Sequence, residues 1–182
     1  MNVSFTFGLD PLLVWIPTAW PAALFAHAGV AKLLDRPLFL QHLGAYRVPS
    51  RWLTPMQNAL PLAELGVAAL LLSPWRALGA AAAALLLLAY ASAMAVHLRA
   101  GRRLDCGCGG APLPLRWALV GRNAGLLALT AWASQTPVER AMSLADHAVT
   151  AAALLLGCLL WVAFHQVLRQ QRPHRQSFLE KH

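Results

Sequence analysis

Long apolar stretches separated by short polar segments set the pattern of this chain. Pro11–Ala31, Ala77–Leu98 and His147–Leu168 carry no Asp, Glu, Lys or Arg, and each matches or exceeds the run of about 20 residues that spans a bilayer core. A fourth stretch, Pro55–Trp75, is apolar apart from Glu64. A fifth, Leu115–Thr136, is broken near its start by Arg116 and Arg122. The pattern predicts transmembrane helices over residues 11–34, 55–75, 77–98, 115–136 and 145–168. The expected fold is an all-α integral membrane protein, a four-helix transmembrane bundle plus a fifth helix. It forms a single domain over 1–168, followed by a polar basic tail over 169–182. No strand alternation competes, and an open sheet edge could not satisfy its backbone in lipid.

Composition supports the same class. The chain of 182 residues is 58% hydrophobic and 12% charged, about half the charge of a soluble domain. The first apolar run has no basic segment before it and no small-residue cleavage site after it, so it reads as a retained helix. The connection Asp35–Thr54 holds Leu38, Phe39, Leu40, Tyr46 and Trp52 between prolines, the composition of a short helix lying along the membrane surface. The seven tryptophans fall mostly near helix ends, as an interfacial belt does. Gly121-x-x-x-Gly125 and Gly79-x-x-x-Ala83 are small-residue pairs of the kind that let helices approach closely. His27 reads as a satisfied core histidine.

The net charge of +8 could indicate nucleic acid, but its distribution excludes that class. All but two of the 15 Lys and Arg lie after the first helix, around the loop between the third and fourth spans, or in the tail. Only Arg76 and Arg140 occupy the alternate loops. This is a positive-inside bias, with a contribution from contact with anionic lipid. It predicts an outside N-terminus, a cytoplasmic tail and a cytoplasmic loop over residues 99–116.

That loop carries the chemistry. Cys106-Gly-Cys108, followed by Gly109-Gly110, is a C-x-C pair in a chain with three cysteines. A disulfide across one glycine closes a small strained ring, and strain favours exchange over permanence. Arg102, Arg103 and Arg116, with the positive start of the following helix, favour the thiolate. Two other readings stay open: a tight turn with incidental cysteines, and a metal site joining the pair to Asp105 and His97. Zinc sites ordinarily need four ligands at wider cysteine spacing, so no metal is assigned. Cys158, set among leucines, reads as a small buried hydrophobe.

Glu64 is the second candidate. A carboxyl inside a membrane helix is costly unless paired, and such residues are commonly functional. Lys32, Arg122 and His97 are its candidate partners. A structural ion pair and a proton acceptor beside a thiol or a quinone are the two roles it could fill.

Four motifs in order then carry a resemblance. They are His27-Ala-Gly-Val-Ala-Lys32-Leu-Leu-Asp35, Pro61-Leu-Ala-Glu64-Leu-Gly66, Asp105-Cys-Gly-Cys-Gly109 and Gly121-Arg122-Asn123. Together, over about residues 12–165, they resemble the MauE family, within the wider MauE/DoxX group of redox-associated membrane proteins. The resemblance implies a helical bundle of the bacterial cytoplasmic membrane. It also implies a thioredoxin-like, MauD-like partner and a protein substrate such as the disulfide-rich small subunit of methylamine dehydrogenase, an exported enzyme. On that basis Cys106 and Cys108 would be the exchanging pair, with Glu64, Lys32, His97, Arg122 and Asn123 as supporting intramembrane groups. Comparison with the vitamin K epoxide reductase type of bundle adds a quinone as a conceivable electron acceptor. That type has C-x-x-C and a second, shuttle pair. This chain has C-x-C and no shuttle pair, so a second thiol pair would come from a partner. An alternative role is a non-catalytic scaffold that recruits such a partner. Work on an exported substrate wants the loop outside, opposite to the charge argument.

Overall fold

The structure, a computed structural model, describes residues 9–102, 104–105, 114–138 and 140–170. Among them are six helices: α1 (Pro11–Leu34), α2 (Arg36–Ala45), α3 (Ser50–Leu71), α4 (Arg76–Arg99), α5 (Trp117–Ala133) and α6 (Leu144–Gln170). Local chemistry sets several of their ends. Asp10 accepts from the Leu12 amide at 2.9 Å and Pro11 opens α1, a favoured start. Asp35 closes α1 and caps α2, accepting from the Leu38 amide at 3.1 Å. Ser143 and Asp146 form a reciprocal cap at the start of α6. The Ser143 amide donates to Asp146 Oδ2 at 2.7 Å, and the Asp146 amide donates to Ser143 Oγ at 3.2 Å.

Prolines inside α1 have an identifiable consequence. Pro17 cannot donate to the Leu13 carbonyl one turn before it. The Trp132 indole of α5 donates there instead, at 2.8 Å. A residue that would interrupt a soluble helix thus becomes a cross-helix tie.

α1, α3, α4 and α5 pack in a ring in which α1 touches α3 and α5, and α4 touches the same two. α2 lies across α3 and α1, and α6 packs on α1. Three helices are long and apolar enough to cross a membrane: Pro11–Leu34, Arg76–Arg99 and Leu144–Phe164. The chain is a multi-pass membrane protein. α3 and α5 do not reach that standard, because α3 starts within the polar stretch at Ser50 and α5 is 17 residues long and holds Arg122. The all-helical class is as expected, with six helices among the described residues, of which three rather than five are long and apolar enough to cross a membrane.

The connection Asp35–Thr54 holds a short helix, α2, as its composition suggested. Four other expectations change. The helix expected from Pro55 begins at Ser50. Gly121 and Gly125 have nothing within 4 Å of an added Cβ, so this pair does not mediate helix approach. His27 is exposed rather than in the core. Cys158 is exposed on α6, on a helix face with no neighbour to bury it.

Gly79 behaves as the small-residue argument expects. A Cβ there would lie 2.6 Å from the Leu71 amide nitrogen and 2.8 Å from the Leu70 carbonyl carbon. Backbone cannot move aside as a side chain can. Gly79→Ala should therefore destabilise the α3–α4 contact by about 1–3 kcal/mol. Gly66→Ala, in open space on α3, should be neutral or slightly stabilising from helix propensity. Unfolding in a mixed-micelle detergent titration compares the two, and equal stabilities would contradict the close contact.

Candidate functional site

Two apolar clusters fill the ring. One contains Ala22, Phe25, Val67, Ala68, Leu71, Ala80, Ala83, Leu87, Leu126 and Ala133; the other contains Met94, Leu115 and Leu119. Along each helix a polar residue falls outside or between these groups. Lys32 follows Phe25 on α1, Glu64 precedes Val67 on α3, Tyr90 separates Leu87 from Met94, and Asn123 separates Leu119 from Leu126.

Three of these four meet directly. Lys32 Nζ donates to Glu64 Oε1 at 2.6 Å and to Oε2 at 2.8 Å, and the Tyr90 hydroxyl donates to Oε1 at 2.7 Å. Lys32 is 5% and Glu64 1% exposed, so the ion pair is closed to solvent and lipid alike. The ammonium also lies 5.7 Å from the ring centroids of Phe39 and Tyr90, a cation–π arrangement that adds to its stabilisation. An ion pair removed from water is tolerated when its hydrogen-bonding capacity is used. Here the carboxylate is engaged through both oxygens, by helices on either side of α3.

Arg122 is placed differently. Its guanidinium lies over the Trp161 ring of α6, 4.9 Å from the centroid, while remaining close enough to Lys32 for their charges to interact. Asn123 is buried, and its Nδ2 has no hydrogen-bond partner among the described residues.

His97 does not join Glu64. It lies two turns beyond Tyr90 on α4 and is 8% exposed. Its Nδ1 is 3.1 Å from Arg102 Nη1, and its ring meets Tyr46 edge to face at 4.9 Å. Arginine has no acceptor, so Nδ1 accepts and the imidazole proton sits on Nε2. The Tyr46 hydroxyl is pushed up to about 12, first by burial and then by the Asp105 carboxylate. It therefore stays protonated throughout the physiological range.

These residues stand at the foot of the loop that the sequence singled out. Asp105 pairs with Pro114 in an antiparallel bridge, and the Leu115 amide donates to the Leu104 carbonyl at 2.8 Å. Cys106 and Cys108 lie outside the described residues. Tyr90 and Tyr46 were not foreseen as site residues. The available signal was their rarity, since the chain has two tyrosines, one of them inside an apolar span.

Comparison with known proteins gives this arrangement its context. The family model described as methylamine utilisation protein MauE matches residues 10–135. The chain belongs to the MauE family. Among its relatives, methylamine utilization protein MauE of Methylorubrum extorquens is 35% identical over 94% of this chain and 96% of its own length. The proteins of the same name from Paracoccus denitrificans and Paracoccus versutus are 33% and 37% identical. The first alignment covers 86% of this chain and 88% of the relative, and the second covers 85% of each. No solved structure matches. The MauE match takes in Lys32, Glu64, Tyr90, His97, Arg122, Asn123 and both cysteines of the C-x-C pair, and it ends before α6 begins.

Proposed function

We propose that this MauE-family chain is a membrane component of thiol–disulfide exchange, acting through Cys106 and Cys108 to support maturation of an exported protein in methylamine utilisation. The observation that carries this reading is the paired foot formed by Asp105 and Pro114. It brings together the two residues that flank segment 106–113, and Cys106 follows Asp105 directly in sequence. Beside that foot stand Arg102, His97 and the protonated Tyr46 hydroxyl. Cationic and hydrogen-bonding neighbours favour the thiolate, the attacking species.

Each exchange balances between the pair and its partner, and turnover draws on a second disulfide or a quinone to reoxidise Cys106 and Cys108. One thiolate of the pair attacks a disulfide sulfur of a thioredoxin-like partner, forming a mixed disulfide and releasing a partner thiolate. The second thiol then attacks the mixed bond, leaving Cys106–Cys108 oxidised and the partner as a dithiol. Run in reverse, the same two steps oxidise the partner, which in turn serves a substrate such as the small subunit of methylamine dehydrogenase. The Lys32–Glu64–Tyr90 layer holds α1, α3 and α4 in register beneath the loop, and Asn123 adds a buried donor from α5. On this reading α3 and α5 cross the bacterial cytoplasmic membrane alongside the three apolar spans, their polar groups covered by the ring.

Labelling with a membrane-impermeant maleimide in a Cys158→Ala background tests the reading and the side of the loop together. Labelling that needs prior reduction is expected, in intact cells for an outward loop or only after permeabilisation for an inward one. Full labelling without reductant under every growth condition would mean that the pair never forms a disulfide. That result would favour a scaffold role instead.

A further inference from the structure

The turn that joins α2 to α3 holds a strained residue. Arg47 lies at φ 60°, in the left-handed region, where no other described residue except a glycine is found. It closes α2 as a left-handed cap. Its amide donates to the Gly44 carbonyl at 2.9 Å, and the Val48 amide donates to the Leu43 carbonyl at 3.1 Å. Glycine is the usual occupant of such a position, because a Cβ is strained there. Strained backbone positions cluster at functional sites. A membrane-orientation bias asks only for a cation somewhere in the connection, so it does not account for an arginine at this one point. Arg47 is exposed, and so is Arg51, four residues on in the first turn of α3. No ion pair or hydrogen bond among the described residues engages either guanidinium.

This turn stands beside the foot formed by Asp105 and Pro114. The Tyr46 ring, one residue before Arg47, meets the His97 ring at 4.9 Å, and Arg102 Nη1 lies 3.1 Å from His97 Nδ1. The Asp105 carboxylate is close enough for its charge to act on the Tyr46 hydroxyl. Asp105 is one carboxylate against Arg47, Arg51 and Arg102, so the group stays positive. We propose that Arg47 and Arg51 form a docking surface for an acidic patch on the protein whose disulfide exchanges with Cys106 and Cys108. The proposal rests on the exchange reading for what the partner brings, and adds the charge by which the partner is recognised. Guanidinium groups match carboxylates in geometry as well as charge. Opposite charges across an interface speed encounter and fix orientation. A partner held at this turn is held next to Asp105, which Cys106 follows in sequence. Lipid headgroups could neutralise an arginine anywhere along the membrane face, whereas these two adjoin the residue that packs on the foot.

The test is fluorescence anisotropy of the reduced full-length protein in phosphatidylcholine nanodiscs, with a pair of labelled peptides. One is rich in glutamate and carries serines in place of its cysteines; the other has glutamine for every glutamate. The acidic peptide should bind about tenfold tighter, about threefold for each exposed ion pair. The advantage should vanish in about 1 M salt. Arg47→Gln combined with Arg51→Gln should bring the peptides to equality. Arg47→Gly, which relieves the left-handed strain, should lose about threefold of the preference while resisting denaturing detergent better than wild type. Damage to the fold cannot move binding and stability in opposite directions. Equal binding of the peptides by wild type would overturn the proposal, as would a preference that survives the double substitution or Arg47→Gly. So would phosphatidylglycerol retained over phosphatidylcholine in native mass spectrometry and lost in the double variant, which would assign the arginines to the membrane. The cystine form of the acidic peptide keeps the two readings apart. Binding of the serine form without exchange by the cystine form leaves the surface standing and removes the exchange chemistry. Ready exchange with no charge preference does the reverse.

Discussion

Glu64→Ala is expected to destabilise the bundle by about 3–5 kcal/mol, the cost of stranding a buried charge. In the variant, the Lys32 ammonium would keep its position between the Phe39 and Tyr90 rings but lose both carboxylate contacts. The Tyr90 hydroxyl would lose its acceptor as well. A whole protein is stable by about 5–15 kcal/mol, so this one change should remove much of the folded population from the membrane. Glu64→Leu combined with Lys32→Met removes both charges together and should recover most of the loss, since a buried pair replaced by apolar groups of similar size is often neutral. Tyr90→Phe, which leaves the ion pair intact, should cost only about 1–3 kcal/mol. Fractions folded across a denaturing-detergent titration provide the measurement. A double variant as unstable as Glu64→Ala would mean that the pair contributes more than mutual neutralisation.

Cys106→Ser and Cys108→Ser should each reduce maturation of the exported substrate to the level of a strain lacking this protein. Exchange needs both sulfurs, one to attack and one to resolve. The double variant should therefore be no worse than either single one, as for any group of residues that acts as a unit. The readout is the disulfide content of the substrate, followed by gel shift after alkylation. Co-purification of the thioredoxin-like partner, followed in parallel, should persist in at least one single variant. Unchanged substrate disulfides in both variants would sink the exchange reading, whereas loss of partner binding alone would point to recruitment.

What could be read from sequence depended on whether a feature was local. The charge-free runs correspond to α1, α4 and α6 because lipid imposes a length and an apolarity that any window along the chain reveals. Glu64 stood out for the same reason, as an acid in an apolar run. Its choice of Lys32 over Arg122 and His97 was not legible, because it depends on how α1 and α3 cross. Helical spacing puts His97 on the same face of α4 as Tyr90, but two turns nearer the loop, where Arg102 and Tyr46 engage it. Tyr90 escaped notice because a tyrosine in an apolar helix looks like packing until a carboxylate faces its hydroxyl. The exposure of Gly121 and Gly125 is the opposite case, a local motif that tertiary packing left unused.

The join between the two ends of the helical region has a consequence for the order of events during synthesis. Arg140 donates to both Asp146 carboxylate oxygens, at 2.9 and 3.2 Å, and reaches Asp10 at 3.3 Å. Asp10 leaves the ribosome well before Arg140 and Asp146 do. The contact can therefore close only once α1, α3, α4 and α5 have been made, after their ring has had time to gather. Until α6 arrives, the flank of α1 that carries Trp20 faces the bilayer. The arrival of α6 then sets Trp161 against Trp20, so a surface that met lipid early in assembly is covered by protein at its close.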